Sequence, residues 1–267
     1  MEVKTSVYDF SLLRDGKFRV NFDCYKARPH FIIALDDSPK TVYEDLSDDQ
    51  KKKVINLALL MATKHGLGES RAVLSQHCGY WYNSTYNYHA HLCVNHEKYL
   101  GILDGEKNTL KNWSHSDEAI KKYPTSKRKD EVDEINKIIA DKVAKDVTEG
   151  GNDILFHPSE PRVGFAVEES HKPTNPQAWF NVQKKMMLYA TGKDLTNPKG
   201  NGNYFGCHVC LVLDGKTHGF DNIAVSKCLV GFIEVTGSKF YRDLCPNEKR
   251  ETWFDRFRES SRGYSPW

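Results

Sequence analysis

The chain has 267 residues, enough to bury one large core or two small ones, and its 39% hydrophobic and 28% charged residues describe an ordinary soluble globular protein. A net charge of +2 gives no global signal for nucleic acid or membrane, so an anionic ligand has to be held by a local site, and nucleic acid stays open as a partner without support from charge. No apolar run approaches the ~20 residues of a spanning helix, Met1–Phe18 lacks the apolar stretch of a secretory signal, and the seven cysteines follow no small-scaffold spacing, so an intracellular protein, cytoplasmic or nuclear, with reduced thiols is expected.

In chain order, KFRVNFDCYKARPHFIIAL (17–35) reads as two strands with a turn around Lys26–Pro29, because Val20 and Phe22 alternate with polar neighbours and FIIAL is a short apolar run. Residues 46–66 read as a helix. Ser47 is its N-cap with Gln50 at capping-box spacing, Val54, Leu57, Ala58 and Met61 share one face, and Gly66 is the stop. RAVLSQ (71–76) is a third strand and YNYHAHLCV (86–94) a fourth.

From 106 to 152 the composition turns charge-dense, with Pro124 breaking it and Gly150-Gly151 closing it. Ile135, Ile138, Ile139 and Val143 still form a helical stripe, so the second half of this connector is an amphipathic helix, and the basic run 127–129 is a solvated face.

The remainder then echoes the beginning. RPHFIIALDDSPKT (28–41) resembles PRVGFAVEESHKPT (161–174), LALLMATKHG (57–66) resembles KKMMLYATGK (184–193), and YHAHLCV (88–94) resembles GCHVCLVL (206–213), where His208 and Cys210 stand for His91 and Cys93. The Gly-rich segment 197–206 precedes a strand and lacks a Walker lysine, so it is a long turn. Residues 241–260 read as a terminal helix with Trp253, Phe254 and Phe257 on its apolar stripe. The organisation is therefore 1–105, a charged connector 106–152, and 153–267, in an α+β chain.

The chemistry concentrates at NSTYNYHAHLCV (83–94). On a strand, Asn87, His89, His91 and Cys93 face one way, and Tyr88, Ala90, Leu92 and Val94 the other. The apolar face packs on a core, whereas a row of polar groups is costly unless solvated or used. A metal-dependent hydrolase is one reading, since His89, His91 and Cys93, with His77 and Cys78, are ligand types zinc accepts. No third ligand stands out, and neither metal nor cofactor is expected. Cys207 and Cys210 of the second half would face opposite sides of a regular strand, so they share an ion only if a turn replaces it, with His218 and Cys228 following.

Residues 17–96 resemble the histidine-triad (HIT) superfamily of nucleotidyl hydrolases and transferases. The resemblance lies in the basic, Pro-containing turn before His30 in YKARPHFIIAL (25–35), the capped helix, a polar strand, and the His-x-His strand. The first of these is similar to aprataxin-like members. The resemblance implies a HIT-like antiparallel sheet with helices, and with the echoes it implies two diverged HIT-like halves in tandem. It also implies a monomer with an internal pseudo-dimer, or a homodimer.

For function the resemblance implies a nucleotide or nucleotide-conjugate substrate, attacked at its α-phosphate by a histidine. Only two triad histidines are present, and two registers fit. If His89 is central, His91 is third, Asn87 replaces the first, and Asn83 and Ser84 take the phosphate-contacting positions. If His91 is central, His89 is first and Cys93 replaces the third, as in galactose-1-phosphate uridylyltransferase-like members, with Tyr86 in the hydroxyl position. The first register accounts for Asn83 and Ser84 together and is preferred. His30 sits beside the row as an orienting group, and Tyr82 and Tyr86 are candidates for stacking on the base. The missing histidine keeps a second reading open, a catalytically weakened nucleotide- or nucleic-acid-binding module.

Overall fold

The computed structural model describes residues 11–22, 29–39, 41–69, 71–79, 87–106, 129–200 and 206–235. The proposed turn at Lys26–Arg28, residues 80–86, the basic run at 127–128 and the expected terminal helix lie outside them.

Among the described residues nine strands form one sheet: β1 (Leu13–Asp15), β2 (Phe18–Phe22), β3 (His30–Pro39), β4 (Val73–Cys78), β5 (Asn87–Cys93), β6 (Ile154–Phe156), β7 (Arg162–Glu168), β8 (Cys207–Val212) and β9 (Lys227–Glu234). Four described α-helices accompany it: α1 (Asp48–Lys64), α2 (His96–Gly105), α3 (Lys129–Glu149) and α4 (Pro176–Gly192). The fold is thus α+β, with every described strand pair antiparallel and the order β1-β2-β3-β5-β4-β8-β9-β7-β6. Among the described residues no helix is long and apolar enough to cross a membrane.

Local sequence places the helices. The Ser47 hydroxyl accepts from the Gln50 backbone amide at 3.2 Å while the Gln50 side-chain Oε1 accepts from the Ser47 backbone amide at 2.8 Å, the reciprocal box expected from the spacing. Asn175 caps α4 through the Ala178 amide at 2.9 Å, and Pro176 occupies the first turn, where no amide proton is needed. The connector helix α3 is docked, not merely spanning. Val132, Ile135, Ile139 and Val143 are buried, and Asp146 accepts a 2.6 Å hydrogen bond from Tyr189 of α4.

Strand alternation divides the sheet into two faces. One face carries Phe18, Val20, Phe31, Ile33, Leu74, Leu92, Val209 and Ile233, which join the apolar stripes of α1, α2, α3 and α4 in the main core. On this side the Tyr43 hydroxyl donates to Gln183 of α4 at 2.7 Å. The opposite face carries His30, Ser75, His77, His89 and His91 among Ile32, Ala34 and Val73 in β3, β4 and β5. Toward β9 it becomes a second apolar cluster, with Phe220 and Ile223 packed over Cys210, Val212 and Phe232. Gly164 permits that cover, because a Cβ there would come within 2.8 Å of the Phe220 ring.

The two ends of the chain share an order. Strands β2-β3-β5-β4 lie side by side with α1 between β3 and β4 in sequence, and β6-β7-β9-β8 lie side by side with α4 between β7 and β8. The Val94 amide donates to the Pro29 carbonyl at 3.0 Å, and the Val235 amide donates to the Pro161 carbonyl at 3.1 Å. These bonds match Pro29 with Pro161, and so His30 with Arg162, one residue away from the register suggested by sequence. They also correct the third echo. The strand holding His208 and Cys210 directly follows a helix, which is the place of β4, whereas the counterpart of the histidine strand is β9. His-x-Cys thus recurs in strands that do not occupy matching positions.

Where His30 pairs with Cys93, Arg162 pairs with Glu234. Arg162 is 2% exposed and Glu234 fully buried, with Nε and Oε2 2.5 Å apart. Replacing one partner strands the other charge in the interior. Arg162→Met is expected to cost about 3–5 kcal/mol in urea unfolding, and the double variant Arg162→Met/Glu234→Leu to recover most of it.

Candidate functional site

The site is built on the polar face of β5. Tyr88, Ala90 and Leu92 are buried toward the helices, and the Tyr88 hydroxyl donates to the Gln76 side-chain Oε1 at 2.6 Å. That bond matters for burial: removing the phenol proton there is opposed by desolvation, so Tyr88 ionises well above its ordinary range. With these residues anchored on the core side, His89, His91 and Cys93 must present on the other face.

The cross-strand register gathers the rest. On β3, Ala34 lies opposite His89, Ile32 opposite His91, and His30 opposite Cys93. On β4, Ser75 lies opposite His91 and Val73 opposite Cys93. His77, two residues beyond Ser75, shares that face and pairs with His208 of β8.

Five imidazoles are therefore brought together, and His91 is their hub. Its ring stacks on His30 at 4.6 Å between centroids, with 28° between planes, and on His89 at 5.0 Å and 26°. His77 meets it edge-on at 5.9 Å, and His208 lies 4.2 Å from His77. His30 is fully buried, His208 nearly so, and His91 is 8% exposed, while His77 and His89 are partly exposed. Each neutral imidazole offers one donor and one acceptor, so such a cluster can both hold an oxyanion and supply a nitrogen nucleophile.

Of the residues singled out in sequence, His30, His89, His91 and Cys93 come together. Asn87 is the first residue of β5, opposite Pro39 across an irregularity in β3. Tyr82, Asn83, Ser84 and Tyr86 lie outside the described residues. His77 and His208 were missed as members of this cluster. His77 had signalled only as a metal-ligand type, and the alternation with Ser75 along β4 was the available sign.

Cys93 is fully buried, with its sulfur 4.0 Å from the His91 carbonyl oxygen, between His30 and Val73 on the neighbouring strands. Cys207 lies in the helix-side core and Cys210 in the cluster on the opposite face, so the regular strand β8 separates them as alternation requires. Among the described residues no group of three or more His, Cys, Asp or Glu side chains is arranged to hold a metal ion. No protein-family model, curated protein or solved structure matches the chain.

The packing around Cys93 sets a limit on the row. Cys93 and His30 are both fully buried, so the larger imidazole of Cys93→His is expected to destabilise by about 1–3 kcal/mol through overpacking. Urea unfolding measures this, and an undiminished midpoint would reveal space for a third histidine.

Proposed function

We propose that this chain is a nucleotide phosphohydrolase or nucleotidyltransferase of the histidine-triad type, formed from two diverged HIT-like halves in tandem. The observation that carries the reading is the stack of His89, His91 and His30 on the face of the sheet opposite the four described helices. The repeated strand order and the matching Val94–Pro29 and Val235–Pro161 bonds support the tandem halves. In this arrangement one chain supplies both sheets of an internal pseudo-dimer, joined through β4 and β8.

The ring contacts favour His91 over His89 as nucleophile, because His91 has imidazoles on three sides and His89 is at the rim. A nitrogen of neutral His91 attacks the α-phosphorus, the bond to the leaving group breaks, and a nucleotidyl-histidine results. The departing group takes a proton from a neighbouring donor. Water then attacks the same phosphorus and releases the nucleotide, regenerating the imidazole; an acceptor other than water makes the reaction a transfer. The adjacent His30 and His89 supply donors toward the oxygens on which charge accumulates.

A second reading has a specific observation behind it. The buried thiol of Cys93 stands where the His91-centred register would have its third histidine, and a thiol is a weak donor. A nucleotide-binding module with little turnover follows if that histidine is indispensable.

Incubation with an adenosine phosphoramidate and a dinucleoside polyphosphate tests both. Release of AMP is expected, and His91→Ala should lower the rate by at least ~10³-fold, with a smaller loss for His89→Ala. Acid-labile labelling of the wild-type protein by α-³²P substrate should disappear in His91→Ala. Full turnover by both variants would eliminate the mechanism. AMP binding that depends on His91, without turnover by the parent protein, would select the binding module.

A further inference from the structure

The seam between the two β-arrays carries a second reactive group, on the face away from the histidines. Cys78 ends β4 and Cys207 begins β8, and they are direct partners across the antiparallel ladder. Directly opposed residues in such a ladder have Cα atoms about 4.5–5.5 Å apart, within the span a disulfide bridges. The approach is tightened beside them. Gly79 has φ +108°, and a Cβ on it would come within 2.9 Å of the Gly206 Cα. Only a residue without a side chain lets the two backbones converge there.

Both thiols are buried, with Cys78 5% and Cys207 1% exposed, yet they differ in access. Cys78 lines a cavity of about 300 Å³ that opens between α1 and α4, with Tyr43, Glu44, Lys51, Phe180 and Lys184 among its walls. Cys207 does not line it.

We propose that Cys78 and Cys207 form a dithiol site that reacts with a low-molecular-weight disulfide of the glutathione class, entering through this cavity, to give a bridge across the β4–β8 seam. The Cys78 thiolate attacks one sulfur of the small disulfide, whose S–S bond breaks to release one thiolate. The Cys207 thiolate then attacks the Cys78 sulfur, the mixed disulfide breaks, and the second small thiolate departs. The two protein thiols lose two electrons, the small disulfide gains them, and the two released thiolates take up the two thiol protons.

The electrostatics assign the same order of attack. A hydrogen bond from the Cys207 thiol holds Cys78 below its ordinary value, while donating that bond, together with burial, pushes Cys207 well above its own. The thiol that meets the cavity is thus the more acidic one, and its neighbour is placed to resolve the mixed disulfide.

The native full-length protein is incubated with oxidised glutathione, alkylated and digested without reduction. The expected product is a peptide joining Cys78 to Cys207, with the intact mass lowered by two hydrogen atoms for this bridge. Cys207→Ser should arrest at a glutathione adduct on Cys78, and Cys78→Ser should leave Cys207 unmodified. A linked peptide that forms only after unfolding in urea overturns the proposal, as does an adduct on Cys207 in Cys78→Ser. Absence of both the bridge and the Cys78 adduct in the native protein overturns it equally.

Discussion

Everything distinctive in this molecule depends on the ladder between β4 and β8. Six residue pairs, from Val73–Val212 to Cys78–Cys207, convert two antiparallel arrays into one nine-stranded sheet. The ladder sits in the middle of the order, so each of its strands is hydrogen-bonded along both edges and neither leaves an exposed central edge. Losing this register would expose two rows of unpaired amides and carbonyls at once, each costly to bury without a partner. It would also separate His77 from His208 and Cys78 from Cys207, which lie on opposite faces at the same end of the seam.

The two faces of the sheet differ in what they carry. On one side, four amphipathic helices cover a continuous apolar surface, so the strands are held without help from the polar residues beyond them. That freedom is what permits a histidine stack. Burying His30 completely beside His91 removes hydration from polar rings, and the main core offsets the cost from the other face of the same strands. The helix-side contacts also fix direction. Tyr88 reaches Gln76 and packs near Phe18 and Tyr43, so a one-residue slip of β5 would bury His89 and His91 in the apolar core.

Features governed by neighbours in sequence were legible in advance. The Ser47–Gln50 box, the apolar stripe of α1, the stripe on α3 and the alternation along β5 all rest on contacts within a few residues. What escaped was set by distant pairing. RAVLSQ reads as a strand ending at Gln76, but pairing with β8 carries β4 to Cys78 and brings His77 into the cluster. Strand β9 is a nearly continuous apolar run with little alternation to mark a face, because both of its sides are covered. Helix α2 has a capping Asn95 but only ten residues, too few for a periodic stripe to stand out beside the histidine strand. The His-x-Cys echo failed for the same reason: composition can repeat without position, and only hydrogen-bonded neighbours distinguish the places of β4 and β5.

The unequal halves of the sheet explain why the imidazoles gather at one end of it. The register that matches Pro29 with Pro161 puts Arg162 and Glu234 where the first array has His30 and Cys93, and Phe232 where it has His91. An aromatic hydrocarbon ring offers neither a nucleophile nor a hydrogen bond, and the Arg162 guanidinium lies 5.4 Å from its centroid. Phe220 then closes over Gly164, turning the corresponding surface into a packed core. The buried Arg162–Glu234 pair satisfies its charges internally, so that surface has no unmet demand for an anion. The contribution of the second array to the site is instead lateral. Its strand β8 completes the sheet behind His91 and sets His208 against His77, extending the imidazole cluster beyond what β3, β4 and β5 could assemble alone.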